Sequence, residues 1–288
     1  MTGRDTTMAE RWRSVLFLSP LSEKHLAKAP SLGADGIMLD LEDAIRPEDK
    51  PAARARLPEA VAGLRAGGIT DVLVRVNAPW LLAFEDIRAA VSAGVDYVTL
   101  PKVETPGRVA VIGELLDELE AGDAPRTRLL LQIESALGLE ALPAILRASP
   151  RVSAVMLGPE DFALDMGAMP TIAANEWANV QVLAAARAAG VTPLGFPGSI
   201  AMIDDFPTFR TQIERAKELG FRGAAVIHPK QVAIVNEVFA PTAEELAAAR
   251  RIVDAAATAE AGAFLLDGKM IDPPIVVRAQ TLLNRGRT

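Results

Sequence analysis

Short, nearly unbroken apolar runs alternate along this chain with longer stretches whose apolar residues recur at helical spacing. The runs cover residues 14–20, 36–42, 71–77, 97–102, 128–134, 154–160, 192–197 and 224–229. They are rich in Val, Ile and Leu and lack strict polar alternation, which suits parallel strands covered on both faces. The stretches 51–66, 106–120, 136–147, 175–189 and 205–218 read as helices. Several close on glycine (Gly67-Gly68, Gly190, Gly220), the residue that most readily adopts the left-handed conformation ending a helix. Eight strand–helix units predict a (β/α)8 TIM barrel. The rival is an open doubly wound sheet, but the G-x-G-x-x-G expected after its first strand does not occur. Polar residues at the ends of at least six runs suit one ring of functional loops.

The pattern changes after Pro229. Thr242 and Glu245 form a possible capping box at the start of a helix, Asp267-Gly268 reads as a tight turn, and Pro273-Pro274 precede a last helix. The reading is a barrel domain over residues 1–239 and a C-terminal helical extension over 240–288 acting as a lid.

Composition narrows the functions. The chain has 288 residues, is 50% hydrophobic and carries a formal charge of −7. That length supports a large core in one barrel domain, and the acidic balance argues against a general nucleic-acid or anionic-membrane binder. With no cysteine, disulfides, thiolate metal sites and a cysteine nucleophile are excluded. No apolar run approaches the ~20 residues of a membrane span, and SVLFLSP reads as a strand rather than a signal segment. The cytoplasm is the simplest compartment.

The active site of such a barrel lies at the C-terminal ends of its strands. Glu134, in LLLQIES, and Asp161, in VMLGPED, each follow an apolar run. Mg²⁺ is commonly held by one or two carboxylates, so if both acids reach one mouth they form a candidate Mg²⁺ or Mn²⁺ site. Either acid alone reads equally as a helix cap. The second run ends in Asp40, Glu42 and Asp43; strand alternation implies that not all three face the site. Arg75, inside an apolar run, should meet an anion, since an unpaired buried charge is costly. That anion is either substrate, with the guanidinium beside a developing enolate, or an acid of the second strand. Asn77 ends the third run. Lys102, after Pro101, suits an electrostatic role better than a Schiff base, because acidic neighbours keep it protonated. His228 reads more as a hydrogen-bond centre than as a base, and His25 as a surface residue. Asp272, in GKMIDPP, is either a cap or an acid/base delivered by a lid.

The strings LDLEDAI, VRVN, PKVE, QIESALGL, GPEDFALDMG, GFRGAAVIHPKQ and DGKMID resemble the citrate lyase β-subunit-like enzymes of the HpcH/HpaI aldolase superfamily, which include malyl-CoA and citramalyl-CoA lyases. The resemblance runs from about residue 13 to residue 285. It implies a TIM barrel with a C-terminal extension, assembled as a trimer or hexamer. It also implies Mg²⁺-dependent reversible cleavage of a 3-hydroxyacyl thioester into an α-keto acid, or oxaloacetate, plus an acyl thioester. Residue by residue, it places the metal on Glu134 and Asp161 and sets Arg75 against the keto-acid carbonyl and enolate. Asp272 becomes the acid/base of the lid, often supplied by the neighbouring subunit. Asp43, with Glu42, lies near the metal waters, and Lys102 and Pro159 join the substrate contacts.

Three segments depart from the family pattern: LSPLSEKHLAK replaces the V-P-G turn and its basic stretch, Ala224 stands where lysine is usual, and PLGFPGSIAMIDD is an atypical loop. The carrier is therefore open between CoA, another thioester and none. The alternatives are a malyl-CoA-type thioesterase, a class II aldolase on a free hydroxy-keto acid, and a non-catalytic subunit of a lyase complex.

Overall fold

The computed structural model describes residues 12–120, 127–259 and 262–285. They fall into two units, Met1–Glu237 and Val238–Thr288. In the first, β1 (Ser14–Leu18), β2 (Gly36–Asp40), β3 (Asp71–Arg75), β4 (Tyr97–Leu100), β5 (Arg128–Ile133), β6 (Val152–Leu157), β7 (Thr192–Leu194) and β8 (Ala224–Val226) form one parallel sheet. Its order is β7-β6-β5-β4-β3-β2-β1-β8. The edges β7 and β8 meet through a backbone hydrogen bond from Gly195 N to Gly223 O of 2.9 Å, so the sheet curls into the expected barrel. Helices between the strands cover its outer face.

Side chains alternate along each strand, and the inward positions fill the barrel in bands. At the N-terminal end Trp12 packs edge-on against Tyr97, ring centroids 4.7 Å apart, and its indole N–H donates to Asp71 at 2.9 Å. Gly223 allows this plug: a Cβ there would run into the Trp12 carbonyl. Val15, Met38, Leu73, Leu130 and Ala154 form the middle of the core.

The strands stop earlier than the apolar runs. β6 begins two residues before the predicted run and ends at Leu157, while Pro159-Glu160-Asp161 open a short helix, Pro159–Asp165. Proline suits that first turn because its missing N–H would be unpaired there anyway.

The second unit holds the helix Ala243–Thr258, an antiparallel hairpin of β9 (Phe264–Leu266) and β10 (Lys269–Ile271), and the helix Pro273–Arg285. The Thr242–Glu245 capping box is formed in both directions. Asp267 and Gly268, with φ of 50° and 76°, make the hairpin turn. The last helix starts at Pro273 itself, with Asp272 just ahead of it. Among the described residues no helix is long and apolar enough to cross a membrane.

Candidate active site

Arg75 ends β3 and lies 7% exposed at the C-terminal mouth of the barrel. Its Nε and Nη2 donate to the two carboxylate oxygens of Asp40, each at 2.7 Å, in a bidentate pair. Nη2 also lies 3.2 Å from Asp43 Oδ2, and Nη1 lies 3.2 Å from Glu42 Oε2. All three acids of the second segment thus converge on one guanidinium, while only Asp40 and Asp43 line the cavity, in keeping with the expectation that not all three face it. They converge because β2 ends at Asp40. Beyond it the chain turns, and the Asp40 side chain organises the turn by accepting from Glu42 N at 2.9 Å and Ala44 N at 3.0 Å. Burial alone would pull the Arg75 pKa down, but the bonds to Asp40, with the charges of Glu42 and Asp43, carry it above its ordinary value. Arg75 is thus held in a structural ion pair at the mouth of the barrel.

The turn is held from below by Asn77 and by two residues the sequence did not single out, Lys50 and Asp86. Lys50 Nζ donates to the carbonyls of Leu41 and Glu42, each at 2.9 Å, and to the Asn77 amide oxygen. Asn77 Nδ2 donates to Leu41 O at 2.9 Å and to Asp86 Oδ2 at 2.7 Å. Asn77 therefore anchors the loop rather than facing the mouth. Lys50→Met should strip the Asn77 amide oxygen of its donor, weaken the hold on the Leu41 and Glu42 carbonyls, and cost about 1–3 kcal/mol of stability. Loosening Glu42 and Asp43 should also lower kcat about tenfold, by analogy with the cost of small misplacements. Steady-state kinetics beside a urea unfolding curve test this, and unchanged kcat in a destabilised variant would refute the positioning role.

Glu134 directly follows β5 and is 4% exposed. Its Oε2 accepts from the backbone N–H of Lys102 at 3.0 Å. Lys102 achieves this with a left-handed φ of 52°, a conformation uncommon outside glycine and concentrated at functional sites. The Lys102 ammonium donates to Glu42 Oε1 at 3.0 Å. Burial pulls the lysine pKa down, and the bond to Glu42 with the charges of Glu42, Glu134 and Asp161 more than offsets it, so the ammonium is held protonated. Gly158 gives Glu134 its space, since a Cβ there would lie 2.5 Å from Glu134 Cγ.

Glu134 Oε1 is buried with no hydrogen-bond partner, and so is Oε1 of the neighbouring Gln132. Burial first, then the charges of Glu42 and Asp161, push the Glu134 carboxyl up to about 8. Burial also raises Glu42. Carboxylates packed together with an unpartnered oxygen fit a cation position: a bound positive charge would supply what desolvation has removed. Among the described residues no group of three or more His, Cys, Asp or Glu side chains forms a metal cluster. Two carboxylates still suffice for an ion that keeps several of its waters.

The adjacent acids of the GPED segment separate. Glu160 Oε1 accepts from the Ser199 hydroxyl and from Ile200 N at 3.1 Å, tying down the loop after β7. Asp161 borders the cavity with Pro159 and Glu160, and accepts none of these loop bonds. His228 is a hydrogen-bond centre: its N donates to Gln231 Oε1 at 3.0 Å, its Nδ1 accepts from Lys230 N at 3.1 Å, and its ring rests on Phe206. His25 is exposed. Asp272, in the second unit, caps its helix, its carbonyl accepting from Ile275 N at 3.0 Å.

The mouth opens on a cavity of about 460 Å³. Its polar side carries Asp40, Arg75 and Gln132 from β2, β3 and β5. Its apolar side carries Phe17, Met156, Phe196 and Ile227, from β1, β6 and the ends of β7 and β8. Arg75 Cζ lies 5.0 Å above the Phe17 ring, where the two sides meet. Sequence reading missed Gln132 and the apolar wall. Period-two spacing from the core positions Leu130 and Ala154 was the signal that could have found Gln132 and Met156.

A parallel barrel that gathers clustered carboxylates and a clamped arginine at the C-terminal ends of its strands has the frame of a TIM-barrel enzyme. The sequence matches the model of the HpcH/HpaI aldolase/citrate lyase family over residues 13–229. It is 33% identical to the citrate lyase subunit beta of Leuconostoc mesenteroides subsp. cremoris, covering 95% of this chain and 93% of the relative. It is 32% identical to the L-malyl-CoA/beta-methylmalyl-CoA lyase of Rhodobacter capsulatus, covering 90% and 89%. Among solved structures, Mycobacterium tuberculosis CitE in complex with magnesium, acetoacetate and coenzyme A superimposes with a TM-score of 0.77 at 28% identity, covering 96% and 98% of the two chains. A Burkholderia xenovorans citrate lyase, with a TM-score of 0.80 at 23% identity, covers 95% and 91% and supports the fold alone. The chain belongs to the HpcH/HpaI aldolase/citrate lyase family and is a lyase.

Proposed function

We propose that the chain is a Mg²⁺-dependent carbon–carbon lyase that cleaves a 3-hydroxyacyl-CoA thioester reversibly into a 2-oxo acid and an acyl thioester. The observation that carries this reading is the buried, partner-poor Glu134 beside an arginine clamped by three carboxylates. The relatives' activities, and the magnesium and coenzyme A held by CitE, agree with it. Glu134 and Asp161 would hold the cation, Mg²⁺ or alternatively Mn²⁺. When bound, that ion would act as a Lewis acid on the oxygens of the 2-oxo-acid half.

Cleavage begins with loss of the 3-hydroxyl proton to a base. The C2–C3 bond breaks, its electron pair moves into the thioester carbonyl to give an enolate, and C3 becomes the carbonyl carbon of the 2-oxo acid. We assign the hydroxyl proton to Asp43, which is exposed at the mouth and lies 3.2 Å from Arg75 Nη2. Arg75 stabilises the developing negative charge. Its bidentate bond to Asp40 holds the fork in place beforehand, so little reorganisation is spent in the transition state. Lys102 joins Glu42 in setting the charge of the mouth, and Pro159 contacts the substrate. Return of a proton to C2 is assigned to Asp272 as the acid/base of a lid, on family resemblance alone.

The experiment is a panel of malyl-CoA, citramalyl-CoA, citryl-CoA and free 4-hydroxy-2-oxo acids, each incubated with the protein and Mg²⁺ and scored for keto acid and for thiol. Keto acid without thiol supports the lyase. Thiol and free hydroxy acid without keto acid would establish hydrolysis instead.

A further inference from the structure

The polar side of the cavity is accounted for by the chemistry above, but the apolar side is not. Phe17, Met156, Phe196 and Ile227 come from four neighbouring strands. Strands lie ~4.8 Å apart, so this arc spans roughly 14 Å, far more than a hydrogen or a methyl group covers. The wall is also fixed. Gln231, fully buried, accepts from the N–H of Ile227 at 3.1 Å and donates to Ile200 O and Met202 O at 3.0 and 3.2 Å. Glu160 holds the same β7 loop from the other flank.

Charge points the same way. Among the described cavity-lining residues the one cationic side chain is Arg75, already surrounded by Asp40, Glu42 and Asp43. Glu160 lines the cavity as well, while Asp161 is assigned to the cation. A second carboxylate on the substrate laid against the apolar wall would find no free cationic side chain there, a costly burial.

We propose that this site selects substrates whose 2-oxo-acid fragment carries an uncharged alkyl chain of at least two carbons, laid against the Phe17–Met156–Phe196–Ile227 wall, and rejects fragments bearing a second carboxylate. The inference rests on the lyase reading and deepens it. It also separates this chain from an oxaloacetate-forming activity despite its similarity to citrate lyase subunits.

Calorimetric binding of glyoxylate, pyruvate, 2-oxobutyrate and oxaloacetate to the full-length protein in saturating Mg²⁺ tests it, alongside condensation of each acid with acetyl-CoA. Each added methylene should tighten binding about tenfold, and oxaloacetate should bind roughly 100-fold more weakly than 2-oxobutyrate. Ile227, 43% exposed at the rim, tolerates a charge, so Ile227→Lys should strengthen oxaloacetate and weaken 2-oxobutyrate. Tightest binding of glyoxylate or oxaloacetate to the unmodified protein overturns the proposal while leaving the lyase reading intact. So does an Ile227→Lys variant that shifts all four acids alike. Binding and condensation of none of them overturns the lyase reading and this inference with it.

Discussion

Arg75→Lys is expected to lower kcat/KM by about 10²–10³-fold while leaving the fold in place. Lysine keeps the positive charge but not the planar fork that meets both Asp40 oxygens at 2.7 Å and presents a fixed edge to the reacting carbonyl. Loss of one preorganised donor to a developing oxyanion typically costs about 3–4 kcal/mol of transition-state stabilisation. Arg75→Ala should reach the same kinetic loss and add a structural one. It strands Asp40, Glu42 and Asp43 without their shared cation, and breaking a buried pair on one side costs about 3–5 kcal/mol. Kinetics and denaturant melts on both variants separate the two effects. Near-normal turnover in Arg75→Lys, with unchanged stability, would mean that the guanidinium geometry has no part in the chemistry.

The second large effect concerns Glu134 and pH. Its carboxyl is pushed up to about 8, first by burial and then by Glu42 and Asp161, whereas in the unfolded chain it titrates near the ordinary carboxylate value. Between those two values the folded protein holds a proton that the unfolded chain has released. Stability without divalent ions is therefore expected to fall as pH rises from about 5 to 8, by up to ~1.4 kcal/mol per pH unit from this group, and to level off above that window. A cation competes for the same site, so Mg²⁺ should bind more weakly as pH drops below about 8 and should restore most stability at alkaline pH. Glu134→Gln removes the titrating proton. It should flatten the pH dependence, abolish the Mg²⁺ effect on unfolding and eliminate metal-dependent turnover. Urea midpoints for both proteins from pH 5 to 9, with and without Mg²⁺, read all of this. An equal Mg²⁺ stabilisation of the variant would remove Glu134 from the cation site.

The fold was legible because its signals are local. Buried parallel strands need continuous apolar runs, and the helices between them need their own spacing and their glycine ends. Both periodicities are written in consecutive residues, down to the Thr242–Glu245 capping box and the Asp267-Gly268 turn. The positions of Arg75 and Glu134 at strand ends, and of Asp161 in the first turn after one, were equally readable, since a barrel brings the C-terminal ends of its strands to one mouth. The strand limits were less so, because an apolar run continues past the last ladder bond into residues that merely pack, as at Leu157-Gly158.

By itself, then, the sequence determined the barrel, the C-terminal elements, the family and the roster of acids at the strand ends. Only the tertiary structure decided what those acids do. Asp40, Glu42 and Asp43 all meet Arg75 because β2 stops and the chain turns over a floor of Lys50 and Asn77, partners eight or more residues away. Glu160 and Asp161 both border the cavity, but Glu160 also anchors the loop after β7, a difference the string GPED does not contain. The polar and apolar sides of the cavity likewise exist only once eight strands are closed into a ring. Alternation within a strand is a property of neighbours in the chain. Convergence of charge, desolvation and an unpartnered oxygen at Glu134 is a property of neighbours in space, set by barrel closure and by where each strand ends.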